Sequence, residues 1–401
     1  MLPKKKLGEV CKFVRGPFGG HLKKSCFKEN GNAVYEQQHA IYNQFSEIRY
    51  FIDDEKFEEM KRFALKAGDL IMSCSGTMGK VAIVPEDFKK GIINQALLKL
   101  TTNENLDVEY LQYWMKSPDF IESIKESTVG AAIKNVASVK VLKEIKIPIP
   151  QLEEQKKIVE ILDEILEHID QVKTNIEKNI ENAKELFQSK LNSIFIQKGD
   201  GWEEKTLGEL GTLTSSKRIY KKEYVSEGVP FYRSKEVKEL AHKKDITLEL
   251  YITKERYAEI KTRFGIPQEG DILLTAVGTI GEMYVVKKNE PEFYFKDGNI
   301  MWLKNFTTLN TYYLKYALLC FVEQLKAMSQ GAAYSALTIE KLKKYSISVP
   351  SISEQEEIVQ RLDELLNFQR RIDNNYKQKL IELEELKKSI LQKAFTGELT
   401  N

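Results

Sequence analysis

Set against itself at an offset near 200 residues, the 401-residue sequence shows the same elements in the same order, and such a repeat constrains the fold more than any compositional figure. Leu7-Gly8-Glu9 recurs as Leu207-Gly208-Glu209, and GDLIMSCSGTMGKVAIV from Gly68 recurs as GDILLTAVGTIGEMYVV from Gly270. Tyr110-Leu111-x-Tyr113 returns as Tyr313-Leu314-x-Tyr316, and Gly130-Ala131-Ala132 as Gly331-Ala332-Ala333. Each half closes on an isolated proline and a long polar segment, Pro150-x-Leu152-x-Glu154-Gln155 and Pro350-x-Ile352-x-Glu354-Gln355. The chain is a tandem duplication. Only residues 11–67 and 212–269 resist alignment with each other.

Inside each half the local signals divide in two. Residues 5–149 and 205–349 carry short β-rich runs bounded by Gly and Pro, among them Leu70-Ile71-Met72, Val81-Ala82-Ile83-Val84, Ile272-Leu273-Leu274 and Met283-Tyr284-Val285-Val286. Helical spacing of apolar residues appears over 108–117 and 309–328, so both stretches are expected to be mixed α/β domains. Beyond Pro150 and Pro350 the period changes. Ile158, Leu162, Ile165, Ile169, Val172, Ile176, Ala183 and Leu186 follow a heptad, with Asn179 at a seam position. The second copy runs through Ile358, Leu362, Leu365, Ile372, Tyr376, Leu383 and Leu386, with Gln369 and Lys379 as polar seam positions. A heptad sustained this long signals a coiled coil, and some 45 residues at 1.5 Å each make a rod of about 65 to 70 Å. One chain holds two such helices, so the economical expectation is that they pair with each other, antiparallel. The expected division is 1–150 and 198–350 for the globular domains, with helices over 151–197 and 351–401.

The formal net charge is +2, which alone suggests no nucleic-acid partner. Residues 151–197 and 351–395 together carry a net −5, leaving +7 on the rest of the chain. That excess is compatible with contact to DNA outside the rods. Cys11, Cys26, Cys74 and Cys320 are scattered without CxxC spacing or nearby histidines, so neither a disulfide framework nor a metal site is expected, and reduced thiols in the cytoplasm are the plain reading. Lys4, Lys5 and Lys6 precede no apolar signal region, and the longest apolar stretch, 312–322, is broken by Lys315. A membrane span needs about 20 apolar residues, so a soluble chain is expected.

A search for catalysis returns no site. Ser75-Gly76-Thr77-Met78-Gly79-Lys80 lacks phosphate-loop spacing, and its repeat has Glu282 where Lys80 stands. No dinucleotide fingerprint follows a strand. His21, His39, His168 and His242 are isolated, with His168 off the seam of the first long helix. No cofactor is expected. A binding architecture remains. The Gly76 to Gly79 and Gly278 to Gly281 turns lie between predicted strands with Thr77 and Thr279 at the same place, which suits tight hairpins and equally suits close approach of backbone N–H groups to a phosphate. Lys134 beside the first Gly-Ala-Ala, and Tyr334 and Ser335 beside the second, are further candidates. Cations gather in the variable segments: Arg15, Lys23 and Lys24 in the first, Lys217, Arg218, Lys221, Lys222, Arg233 and Lys235 in the second. The candidate DNA-contacting set is these cations except Lys222, with Ser75, Gly76, Thr77, Gly79, Lys80, Lys134, Gly278, Thr279, Gly281, Tyr334 and Ser335.

The order domain, helix, domain, helix, taken with four motifs, resembles the specificity subunits of type I restriction-modification systems over the whole chain. Those motifs are GTMG and GTIG after Gly-Asp-[Leu/Ile], Ile147-Pro148-Ile149-Pro150-Gln151-Leu152-x-Glu154-Gln155, the run from Ser216-Lys217-Arg218 to Gly228-Val229-Pro230-Phe231-Tyr232-Arg233, and the closing Leu391-x-Lys393-Ala394-Phe395-Thr396-Gly397-Glu398-Leu399. The first half departs at Gly31-Asn32-Ala33-Val34-Tyr35-Glu36, which lacks the Pro and the Arg. The resemblance implies an α+β chain of two pseudo-symmetric target recognition domains joined by two long antiparallel helices in an intramolecular coiled coil. Each domain would read one half of a split DNA target. Two methylation subunits would dock on the helices and bring the cofactor and base-flipping chemistry, and restriction subunits would join that complex. Two other readings stay open: a coiled-coil scaffold whose domains bind protein, and an enzyme with a divergent nuclease or transferase site.

Overall fold

The computed structural model describes residues 2–75, 77–126, 138–196, 199, 201–277, 280–328 and 337–399. Its contacts sort into two units, Met1–Glu177 with Tyr376–Asn401, and Lys178–Asn375. The boundary falls within both long helices, so each unit holds one globular domain and one stretch of each helix.

In the first unit a four-stranded antiparallel sheet runs in the order Cys11–Arg15, Leu97–Thr102, Leu70–Ser73, Val81–Ile83. Beside it lies a three-stranded sheet, Tyr50–Ile52 antiparallel to Asn32–Tyr35, which is in turn parallel to Gly91–Ile93. Lys4–Lys6 pairs antiparallel with Lys146–Pro148 and brings the two ends of the globular domain together. In the second unit each sheet has a counterpart. Thr212–Ser215, Ile300–Lys304, Ile272–Thr275 and Met283–Val285 form the four-stranded sheet. Tyr251–Ile252, Val229–Tyr232 and Tyr294–Phe295 form the three-stranded one, and Glu203–Thr206 pairs with Ser346–Val349.

The two segments that do not align in sequence therefore fold alike. Gly31 and Gly228 mark the equivalence, because each enters its strand at positive φ (138° and 147°). A Cβ at Gly31 would sit 2.3 Å from the Ile52 carbonyl oxygen and one at Gly228 would sit 2.2 Å from that of Ile252, so only glycine fits. After the partner strand, Asp53 caps one helix by accepting from the Lys56 N–H, and Thr253 caps the matching helix by accepting from that of Arg256.

Several repeated motifs turn out to be structural devices. Leu-Gly-Glu forms a four-residue helix in which the Glu9 and Glu209 carboxylates accept from the Lys6 and Thr206 backbone N–H groups at 3.2 and 2.7 Å. Gln155 and Gln355 are fully buried at the heads of the long helices. Gln155 Oε1 accepts from the Asp107 N–H at 2.9 Å while its Nε2 donates to the Asn105 and Pro150 carbonyls at 3.0 Å. Gln355 accepts from the Asn310 N–H at 2.7 Å and donates to Pro350 at 3.0 Å. The repeated tyrosines tie domain to helix: Tyr110 and Tyr313 donate to the Pro148 and Ser348 carbonyls, and Tyr113 and Tyr316 donate to the Asp163 and Asp363 carboxylates.

The long helices are Leu152–Ile196 and Ile352–Thr396, 45 residues each, and they pack on each other antiparallel as a coiled coil. In the first unit Lys173 pairs with Glu384 at 3.2 Å and Asp170 with Lys387 at 3.7 Å, so numbering rises on one helix as it falls on the other. Leu391, Ala394 and Phe395 of the closing motif pack there with Ile158, Leu162 and Tyr110. Gly397 at φ 87° ends the second helix in the left-handed conformation. In the second unit Phe187 and Leu191 pack with Ile358, Leu362 and Tyr316.

The seam differs in detail from the heptad read along the chain. Val172 and Leu186 are 46% and 49% exposed, and Asn179, Lys379 and Leu386 are exposed as well. Their C-terminal neighbours Lys173, Ile180, Phe187, Leu380 and Lys387 are the more buried residues in both copies. Leu186 and Phe187 are both apolar, so periodicity alone cannot choose between them, and Phe187 is the one packed against Tyr316 of its domain.

Candidate nucleic-acid interface

In the first unit both sheets end along one shared edge. Gly16 N–H donates to the Leu97 carbonyl at 2.9 Å, Asn94 N–H to Tyr35 at 2.9 Å, and Cys74 N–H to Ala96 at 2.8 Å. These bonds gather Arg15, Gln37, Ser75 and Gln95 at the ends of strands far apart in sequence. Ser75 Oγ lies 3.3 Å from Gln37 Oε1. Arg15 sits 5.7 Å from the ring centroid of Phe18, which is 67% exposed. Lys23 and Lys24 are exposed in short helical turns just beyond.

The same edge exists in the second unit with other chemistry. Ala276 N–H donates to Asn299 at 2.8 Å and Lys296 N–H to Tyr232 at 2.9 Å, while Ser215 Oγ donates to the Ile300 carbonyl at 3.1 Å. Lys217 is exposed here, its backbone N–H donating to the Tyr294 hydroxyl at 2.6 Å. Arg218 reaches Asp297 at 2.8 Å. Lys221 and Lys222 are exposed in the turn that follows. Arg233 differs in kind from these cations. Its guanidinium holds the buried Glu236 carboxylate at 2.6 Å and Glu249 at 2.9 Å, and Lys235 joins Glu249 at 3.1 Å. Hydrogen bonding to Glu236 raises its pKa above the ordinary arginine value, with Glu249 adding to the effect. Much of its charge is thus compensated inside the fold. In the first unit Glu36 stands at this place, its backbone N–H donating to His39 Nδ1 at 2.9 Å.

The hairpin turns lie on the same edge. Ser73 and Thr275, both fully buried, close them with their hydroxyls: Ser73 Oγ accepts from the Lys80 N–H and Thr275 Oγ1 from the Glu282 N–H, each at 3.0 Å. Ser73 also donates to the Thr77 carbonyl at 2.6 Å. The repeat already carried that signal, since Ser73 and Thr275 occupy equivalent positions, but neither was among the sequence candidates. Gly79 and Gly281 have φ of 75° and 96°, and a Cβ at Gly281 would lie 2.3 Å from Val322. Thr77 and Lys80 are exposed. Glu282, opposite in charge to Lys80, lies 2.9 Å from His242 Nε2. Gly76, Lys134, Gly278, Thr279, Tyr334 and Ser335 lie outside the described residues.

Among the described residues no group of three or more His, Cys, Asp or Glu is arranged to hold a metal ion. Cys11 and Cys74 are buried, and burial pushes their thiols up to about 12 and about 11. A pocket of about 570 Å³ in the second unit is lined by Lys261, Asp271, Trp302, Lys304 and Thr311 among others. It sits at the opposite end of the Ile272–Thr275 strand from the edge described above.

One α/β fold is built twice, and the corresponding sheet edges carry different side chains in the two units. A family model described as the type I restriction modification DNA specificity domain matches residues 3–182 and again residues 199–384. The chain belongs to that family. It is 30% identical over 266 residues to a putative type I restriction enzyme specificity subunit of Haemophilus influenzae, covering 65% of this chain and 64% of the relative, so it spans just under two thirds of that protein's length. To the type I restriction enzyme EcoBI specificity subunit of Escherichia coli it is 25% identical over 373 residues, 83% of this chain and 74% of that one. A chain in a solved structure of a type I R-M system superposes with a TM-score of 0.77 at 21% identity over 99% of both chains, a likeness of fold.

Proposed function

We propose that this protein is the non-catalytic DNA-specificity subunit of a type I restriction-modification complex, with residues 1–150 and 198–350 each reading one half of a bipartite target in double-stranded DNA. The helices 151–197 and 351–401 act as the spacer and as the docking surface for two methylation subunits. Restriction subunits join through that methylase complex, and the assembly works in the cytoplasm. One observation carries the reading: the frame is the same in both units, while the loops at the shared sheet edge differ and hold Arg15, Lys23 and Lys24 in one case and Lys217, Arg218 and Lys221 in the other. A common frame with divergent loops suits two readers of unlike sequences held by like partners. Exposed apolar side chains outside the seam, Val172, Leu186, Phe368, Ile381 and Leu386, support docking of partner subunits along the helices. No helix among the described residues is long and apolar enough to cross a membrane.

The test is domain exchange in the complete complex. Replacing residues 11–140 with the matching segment of a relative is expected to change one half of the methylated motif, read by sequencing host DNA for modified bases, and to leave the other half intact. A change in both halves contradicts the two-reader model. Equal affinity of the complex for cognate and random duplexes, without salt dependence, sinks DNA reading altogether and leaves the scaffold interpretation.

A further inference from the structure

The exposed lysines at the sheet edge suit phosphates, contacts that position a duplex without reading its sequence. The neutral side chains on the same edge are better matched to that reading. Backbone bonds that correspond in the two units allow place-by-place comparison. Cys74 N–H to Ala96 corresponds to Ala276 N–H to Asn299, so Gln95 stands where the second unit has Gly298 and Ser75 where it has Val277. Strand pairing sets Arg15 opposite Leu98 and Ser215 opposite Met301, which are themselves equivalent. Gln37 follows its strand as Ser234 follows the matching one. At four equivalent places the first unit therefore presents Arg, Gln, Ser and Gln, and the second presents Ser, Ser, Val and Gly.

We propose that Gln95 and Gln37, with Arg15 beside them, are the specificity-determining residues for the first half-site, contacting base edges in the major groove. This rests on the DNA-reading function proposed above. A carboxamide offers a donor and an acceptor together, the pair that matches adenine N7 and N6, and a guanidinium matches guanine O6 and N7. Gln95 is exposed on a turn held tightly from below. Asn94 Oδ1 accepts from the Ala96 N–H at 2.9 Å, and a Cβ at Gly16 would lie 1.8 Å from the Asn94 carbonyl oxygen, so the backbone there has little room to shift. The Ser75 hydroxyl donates to Gln37 Oε1 and orients that amide. Phe18 extends from the same edge as an apolar surface able to meet a thymine methyl. The second unit lacks both amides, so its half-site is read by different groups.

The experiment uses the chain assembled with its methylation subunits and compares wild type with Gln95→Leu and Gln37→Leu, each first shown to melt at the wild-type temperature. Competition between the cognate duplex and duplexes carrying single base-pair changes measures discrimination at every position. Expected is a ten- to hundred-fold loss of discrimination, to order of magnitude, at one base pair of one half-site for each variant. The other half-site and the salt dependence stay as in wild type. Unchanged single-base penalties in both variants overturn the proposal, as does a weakening spread evenly over all sequences. If wild type itself prefers no sequence, the function proposed above fails, and this assignment fails with it.

Discussion

At the residue scale, Gln155, Gln355, Gly281 and Asp271 show how buried polar groups and backbone geometry hold the frame. Gln155 and Gln355 satisfy backbone groups that would otherwise be orphaned at the heads of the long helices. Replacing either with Leu should cost about 1 to 3 kcal/mol in urea denaturation, because the desolvated partners remain unmet. Gly281 couples a positive φ to close contact with Val322, whereas Gly298, also at positive φ, has nothing within 4 Å of a built Cβ. Gly281→Ala is expected to destabilise by about 1 to 3 kcal/mol, and Gly298→Ala by less, since strain alone acts there. Asp271 accepts from Trp302 Nε1 at 2.7 Å and from the Gln268 N–H at 2.8 Å. Burial raises its pKa, with these hydrogen bonds opposing the shift. Its folded form thus holds a proton more tightly than the unfolded chain does. The associated stability is complete below the unfolded carboxyl pKa and is lost as pH rises through the folded one. Asp271→Asn keeps an acceptor and should remove that part of the acid-range slope in melting temperature, and an unaltered slope would contradict it. The glutamines were visible in the sequence as a repeated motif. Their role as clamps was not, because Asn105, Asp107 and Asn310, which they join to the helix heads, are distant in sequence.

At the element scale, the two long helices were legible, since a 3- and 4-residue spacing of apolar positions broken only at Asn179, Gln369 and Lys379 is a local property. The seam was only half legible. Leu186 and Phe187 are both apolar, and the helix turns to bury Phe187, whose ring lies 6.5 Å from that of Tyr316. Lys173 is the more instructive case: its aliphatic stem covers the seam while its ammonium reaches Glu384. Thermal and urea unfolding should separate the neighbours, with Leu186→Gln within about 0.5 kcal/mol of wild type and Phe187→Ala losing about 3 to 5 kcal/mol. The hairpin strands on either side of each Gly-rich turn were equally plain from sequence, being short β-rich runs bounded by Gly and Pro.

At the scale of the whole molecule, the spacer role proposed for the helices has a numerical consequence. One heptad added to both long helices lengthens each by about 10.5 Å, close to three base pairs at about 3.4 Å each. The methylated motif should then keep both half-sites and gain about three base pairs between them, as read from modified bases in host DNA. An unchanged spacing would refute the ruler. The apolar residues left exposed outside the seam belong to the same scale, because they support the partner docking proposed for the helices.

What the sequence determined by itself was the duplication, the α+β class, the two coiled-coil helices and the position of the variable segments, all of which are periodic or repeated along the chain. What only the tertiary structure decided was which variable residues meet. Arg15, Gln37, Ser75 and Gln95 share an edge because strands distant in sequence pair in one register. Arg233, the most suggestive cation of the second segment, instead holds Glu236 and Glu249. The kinship of the unalignable segments lies in their matching three-stranded sheets, each entered through Gly31 or Gly228, where the close approach of a neighbouring carbonyl leaves no space for a side chain. Register and close approach depend on residues brought together by folding, and no window read along the chain contains both partners.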